Sequence, residues 1–164
     1  LGKTKSGMSN IDVEPLFPFG FGLSYSKFEI SNLELNKKTI ENDGELELRA
    51  VVKNVTDKGG LETVQIYLTD HYSQVVRPVK QLIAFAKVFL DARQSAKVSF
   101  KIHADRTAFT GLDCKRIIES GSFILSVGDS SEDIQQKIDF EIVGESRILD
   151  SHPVLDTPFK IDYL

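Results

Sequence analysis

The sequence holds no tryptophan, one cysteine and one methionine among its 164 residues. A single thiol excludes an internal disulfide framework and any cysteine-rich zinc site. No apolar run approaches the roughly 20 residues needed to span a bilayer, so no membrane partner is expected. No positively charged start leads into a short apolar stretch, so no signal peptide is visible. The net charge of −4 gives no excess of basic residues to pair with phosphate, which argues against a nucleic-acid partner. The nucleophile-elbow pattern G-x-S-x-G is missing, and Gly20-Phe21-Gly22 is followed by neither a third glycine nor a helix, so a phosphate cradle is not expected. The first residue is Leu1 rather than Met, which points to a fragment of something longer. Against these shortages stand eleven phenylalanines.

What is present falls into an entry segment, a strand-rich middle and a tail. Residues 1–14 are mostly polar, without helical or alternating period, and read as a linker or extended arm. Next comes PLFPFGFGLSY, residues 15–25. Its two prolines forbid a helix interior and disfavour a central strand, while Gly20 and Gly22 admit backbone angles other residues avoid. Phe17, Phe19 and Phe21 project from this irregular stretch and need an apolar surface to lie against.

From Phe28 onward the period is two. Leu46, Leu48, Ala50 and Val52 alternate with more polar neighbours, as do Val64, Ile66 and Leu68; Ala96, Val98, Phe100 and Ile102; Phe123, Leu125 and Val127; and Ile138, Phe140 and Ile142. Each set predicts a strand with one face in a core and one in water. Phe28 and Ile30 are out of phase with Leu33 and Leu35, which predicts a bulge or bend near Ser31 and Asn32. VKQLIAFAKVFL, residues 79–90, is apolar on both parities; its β-branched and aromatic content leans to a strand covered on both faces, one of them by a neighbouring domain. Turn formers separate the runs at Asn42-Asp43-Gly44, Asp57-Lys58-Gly59-Gly60, Ser120-Gly121 and Gly128-Asp129-Ser130-Ser131. The pattern predicts an all-β chain: an antiparallel β-sandwich of the immunoglobulin or fibronectin type III kind, with extended N- and C-terminal arms. Alternation stops after Gly144, and the tail to Leu164 reads as a strap in which Val154, Leu155, Phe159 and Ile161 can pack on a surface.

Chemistry-bearing constellations are scarce. His71, His103 and His152 have no second ligand at metal spacing, so each reads as an ordinary histidine and no metal or cofactor is expected. Cys114 lies beside Lys115 and Arg116, which could lower its pKa, but no partner base accompanies it. Asp70, Asp105, Asp113, Asp129 and Asp133 read mostly as turn residues. Asn54-Val55-Thr56 matches the N-glycosylation pattern at an accessible-looking turn. A carbohydrate-binding module would stack sugars on exposed rings; with no Trp and four Tyr it has little to work with.

Four blocks carry a family resemblance: PLFPFGFGLSYSKF, VVKNVTDKGGLETVQIYLTD, VVRPVKQLIAFAKVFL and GSFILSVGDSSEDI. In this order and spacing they resemble the C-terminal, fibronectin type III-like domain of glycoside hydrolase family 3, the β-glucosidases and their relatives. Phe21 stands where many members have His, and Asp91-Ala92-Arg93-Gln94 replaces a common Pro-Gly turn. The resemblance implies a retaining parent enzyme with a (β/α)8 barrel and an α/β sandwich domain ahead of this one. It also implies that the attacking Asp lies on the barrel and the acid on the second domain. The family's nucleophile is followed by Trp, which this sequence lacks, so no catalytic residue is expected here. On this reading residues 1–24 are an arm from the preceding α/β domain, 25–143 the sandwich and 144–164 a tail. Phe17, Phe19, Phe21, Arg77, Pro78 and the second face of 79–90 are expected to dock on the α/β domain. Whether residues 70–78 reach the rim of the parent's active site, or only touch its neighbouring domain, stays open. The expected partners are the parent's own barrel and α/β domains and, through them, a β-glycoside substrate; a homodimer stays open. A bacterial cytoplasmic setting fits the lack of disulfides, with secretion the alternative. A stand-alone protein-binding or adhesion module of the immunoglobulin-like kind and a carbohydrate-binding module are the competing function classes.

Overall fold

The structure is a computed structural model of the chain, and it describes residues 15–72, 74–149 and 152–164. The linker assigned to residues 1–14 lies outside the described residues. Among the described residues twelve strands form: β1 Phe28–Leu35, β2 Thr39–Glu41, β3 Glu45–Asn54, β4 Gly60–Asp70, β5 Gln81–Leu90, β6 Ser95–His103, β7 Phe109–Thr110, β8 Arg116–Ile118, β9 Gly121–Gly128, β10 Ile134–Val143, β11 Arg147–Ile148 and β12 Phe159–Tyr163. A 3-10 turn, Ala104–Thr107, follows β6.

One sheet has the order β1-β3-β6-β12, the facing one β2-β10-β9-β4-β5, and a small third sheet β11-β8-β7 closes one end. Pairing is antiparallel except between β2 and β10. The alternating sets meet in one core. Leu48, Val52, Val98 and Phe100 come from the first sheet; Val64, Val88, Leu125 and Phe140 come from the second. Removing that much branched and aromatic side chain from water is the main stabilising term of the sandwich.

The bend expected in β1 is present. Register with β3 shifts between Ser31 and Glu34, and Asn32 adopts φ 51°, the left-handed region that asparagine tolerates better than most residues. Beyond it Leu33 and Leu35 still pack against the core. The 79–90 run is the strand β5, at the edge of its sheet, with Ala84, Ala86, Val88 and Leu90 buried and Phe85 and Phe89 exposed on the opposite face.

The tail does more than lie on a surface. Phe159–Tyr163 pairs with β6 from Phe159↔Phe100 to Tyr163↔Ala96 and completes the first sheet. Leading into it, the Arg106 guanidinium donates to Leu155 O and to Ile83 O, both at 2.6 Å, and Thr157 Oγ1 donates to Ile83 O at 3.2 Å. Asp105 is the hub of this end. Its carboxylate accepts from the Val154 N–H at 2.8 Å, pairs with Arg147, and lies 3.2 Å from His103 Nδ1. Burial raises the Asp105 carboxyl, but the Val154 N–H, Arg147 and His103 outweigh it and hold the group below the usual carboxylate range.

Candidate functional site

Residues 15–25 form a hook fastened by its backbone and open on its side chains. Phe21 N donates to Pro18 O at 3.1 Å, closing a tight turn around Phe19 and Gly20. Phe19 O accepts from Ser131 N at 2.9 Å and from Tyr67 OH at 3.3 Å; Gly20 O accepts from Gln65 Nε2 at 3.0 Å. Gly20 has φ +81°, and a Cβ there would stand 2.6 Å from Tyr67 OH and closer still to Gln65 Oε1. Both the angle and the close approach require glycine. The single Tyr67 hydroxyl proton is shared with Gln65 Oε1, which lies nearer at 2.6 Å.

The rings themselves face outward. Phe17 and Phe21 stack with centroids 5.0 Å apart, yet Phe17 is 62% exposed and Phe19 67%. Leu61 lies opposite Phe89 in the β4–β5 ladder, and Gln65, which holds the hook, lies opposite Phe85. Leu61, Phe85 and Phe89 are also exposed. The hook and this sheet face therefore each carry exposed apolar side chains, with Lys87 between Phe85 and Phe89, and clustered exposed apolar groups of this kind mark interaction sites.

Pro78 and Arg77 sit differently. Pro78 is exposed, and its neighbour Lys80 reaches the carbonyl of Ser131, the residue that donates to Phe19. Arg77 turns inward. Its guanidinium pairs with Asp70 at 2.5 Å, donates to Thr107 O at 2.9 Å and lies 4.9 Å from the centre of the Phe109 ring. Both side chains of the pair are largely buried. Arg77 thus anchors the 70–78 loop to this domain, and Tyr72, Val76 and Pro78 are among the loop's exposed residues.

Beside the hook lies a groove of about 600 Å³ between the start of β1, the start of β4 and the β9–β10 loop, with Glu62, Asp129 and Asp133 in its wall. Glu62 is only 8% exposed. Burial, then the charge of Asp129, with Asp133 adding less, raise its carboxyl from 4.5 to about 7 against the opposing pull of the Thr63 N–H. Asp129 is raised too, by burial and by Asp133. Among the described residues none forms an ion pair with these three carboxylates. The sequence reading passed over Glu62, although it shares the inward parity of Val64, Ile66 and Leu68. Gln65 and Tyr67 were expected on the solvent face, and the hook covers both.

The other candidates resolve into structure. Among the described residues no group of three or more His, Cys, Asp or Glu is placed to hold a metal ion. Cys114 is exposed in the β7–β8 turn, while Arg116 beside it donates to Ala108 O at 3.1 Å. Asn54 corrects the accessible glycosylation pattern. It is fully buried, and its Nδ2, the atom a glycan would need, donates to Lys58 O, Leu90 O and Asp91 O at 2.7–3.2 Å. An amide that closes a turn against two strands is held away from solvent by those bonds.

Comparison with known proteins agrees with this architecture. Residues 62–131 match the fibronectin type III-like domain family. The chain is 41% identical over 126 residues to the thermostable β-glucosidase B of Acetivibrio thermocellus, covering 76% of this chain and 17% of that protein. It is 36% identical over 132 residues to a β-xylosidase of Formosa agariphila, covering 80% and 18%. The β-glucosidase of Listeria innocua in complex with glucose superposes with a TM-score of 0.76 at 35% identity, covering 85% of this chain and 19% of that one. The chain thus spans under a fifth of the length of these relatives. Fold, domain match and identity together make the chain a member of the fibronectin type III-like domains of glycoside hydrolase family 3, the β-glucosidases and their relatives.

Proposed function

We propose that this chain is the non-catalytic C-terminal domain of a retaining β-glycosidase, and that it holds the parent's catalytic domains in a fixed relation. The observation that carries this reading is the hook. Its backbone is tied at Phe19 and Gly20, while Phe17 and Phe19 stand mostly exposed and Phe21, about half exposed, stacks on Phe17 at the rim of the groove. A chain that fixes an exposed aromatic cluster so firmly presents a preorganised docking surface, which lowers the ordering cost of association. Residues 15–24 are then the arm from an α/β domain, with Pro78 and the Phe85–Phe89 face as further contacts. Arg77 contributes indirectly, by bracing the loop that carries Pro78. Hydrolysis of a terminal β-linked sugar belongs to the parent's barrel and α/β domains, and its Asp nucleophile and carboxylic acid lie outside this chain.

The test is a triple substitution, Phe17→Ala, Phe19→Ala and Phe21→Ala, in the parent enzyme. A lower unfolding temperature, together with faster proteolysis between this domain and the rest, supports docking. Unchanged stability, proteolysis and turnover would sink it.

A further inference from the structure

We infer that the groove beside the hook receives a cationic side chain, an arginine or a lysine, from the domain on which the hook docks. The inference rests on the docking reading and names its electrostatic half. Three observations converge. The groove opens on the same end of the sandwich as the exposed phenylalanines, since Gly20, Phe21 and Gly22 form part of its wall. Glu62 lines it while being removed from water, and the groups that act on its charge are Asp129, Asp133 and the Thr63 N–H, with no cation among them. Asp129 is held in place, because its carbonyl accepts from Gln65, the residue that also ties Gly20.

A buried carboxylate facing two others destabilises its own domain unless something opposes it. Among the described residues no cation is paired with these carboxylates. Lys80 reaches Ser131 O and Glu132, and Lys27 lies in the groove wall without an ion pair to Glu62, Asp129 or Asp133. A guanidinium or ammonium entering from outside would meet three carboxylates and would be flanked by apolar contacts that exclude water. Charge complementarity of this kind sets register and orientation at an interface. It would make the apolar docking of the hook specific for one relative placement of the domains.

The test compares Glu62→Gln in two settings at pH 8, read as unfolding temperature. In the 164-residue chain alone the substitution removes an unopposed buried charge and should raise the midpoint by a few degrees. In the parent enzyme it removes one partner of an interdomain pair and should lower the midpoint of this domain; Asp129→Asn should reverse sign in the same way, more weakly. A rise in both settings would overturn the inference, because the groove would then hold no cation. A fall in the isolated chain would overturn it too, because the opposing charge would then come from this chain. The hook substitutions separate the two readings. If they weaken the parent while Glu62→Gln keeps one sign, the groove inference falls and docking stands; if they have no effect, docking itself falls.

Discussion

Asp105 and Glu62 are both carboxylates taken out of water, and their surroundings differ in a way that divides the molecule. Asp105, at the 3-10 turn, is met by Arg147, by His103 and by the Val154 N–H, all from this chain. Its charged form is favoured despite burial. Glu62, at the other end of the sandwich interior, is met by two further acids, and its neutral form is favoured. The same contrast holds for apolar groups. Around Asp105 the tail returns to pair with β6, and Phe159 packs 6.1 Å from Phe100. Around Glu62 the rings of the hook face solvent. One end is complete within the chain; the other is shaped for something outside it.

The largest expected effects lie where the chain is complete. Phe100→Ala empties a fully buried site where the first sheet, the core and β12 meet. It should cost about 3–5 kcal/mol in urea unfolding of the isolated chain. A loss below about 1 kcal/mol would mean that the core is not the jigsaw described. Asp105→Ala should follow at about 2–3 kcal/mol, because it strands the Val154 N–H and removes the carboxylate partner of Arg147, which keeps its bonds to Asn42 O. It should also speed hydrogen exchange at Val154; equal exchange in both proteins would separate the tail from the hub.

At the incomplete end the effect is smaller and depends on pH. The Glu62 carboxyl is raised in the folded chain relative to the unfolded one, so the folded state binds the extra proton between pH 4.5 and about 7. That contribution is complete below pH 4.5 and is lost as pH rises through about 7. The isolated chain should therefore lose about 2 kcal/mol between pH 5 and pH 8 through this group. Glu62→Gln should flatten that part of the profile. A profile equally steep in the variant would place the titration elsewhere.

Much of the complete end was legible in the sequence, because burial on one face of a strand writes itself as a period of two. Phe28, Phe100, Phe123 and Phe140 all lie in the core, where alternation placed them. The phase slip at Ser31 and Asn32 marked a real bulge. What alternation could not show was long-range pairing of short or exposed segments. Phe159–Tyr163 reads as half-polar because it is an edge strand, and its partner lies some 60 residues earlier. Asn54 looked like a surface turn residue, although its amide is needed by carbonyls of a strand 36 residues away. The hook was recognisable from its prolines, glycines and phenylalanines, whereas its fastening to Gln65, Tyr67 and Ser131 was not, since those contacts are set by tertiary structure alone. Glu62 was legible in principle: a carboxylate in phase with Val64 and Ile66 is a local conflict, and such conflicts concentrate at functional places.

The smallest effect on the isolated chain should come from the residues that matter most to the proposed assembly. Phe19 and Phe21 are anchored through the Phe19 carbonyl and the Phe21 amide, which alanine keeps, and Phe17 stacks on Phe21. The Phe17 and Phe19 rings are mostly exposed and contribute little to the sandwich, and Phe21, about half exposed, lies at its edge. Replacing all three should change the stability of the 164-residue chain by no more than about 0.5 kcal/mol, the range of surface substitutions. In the parent enzyme the same change removes apolar area from a docked surface and should cost about 3 kcal/mol in all, roughly 1 kcal/mol for each ring. The ratio between the two measurements is the informative quantity. A core role for the rings would make both losses large, and a merely decorative hook would make both small; only a docking role makes them differ.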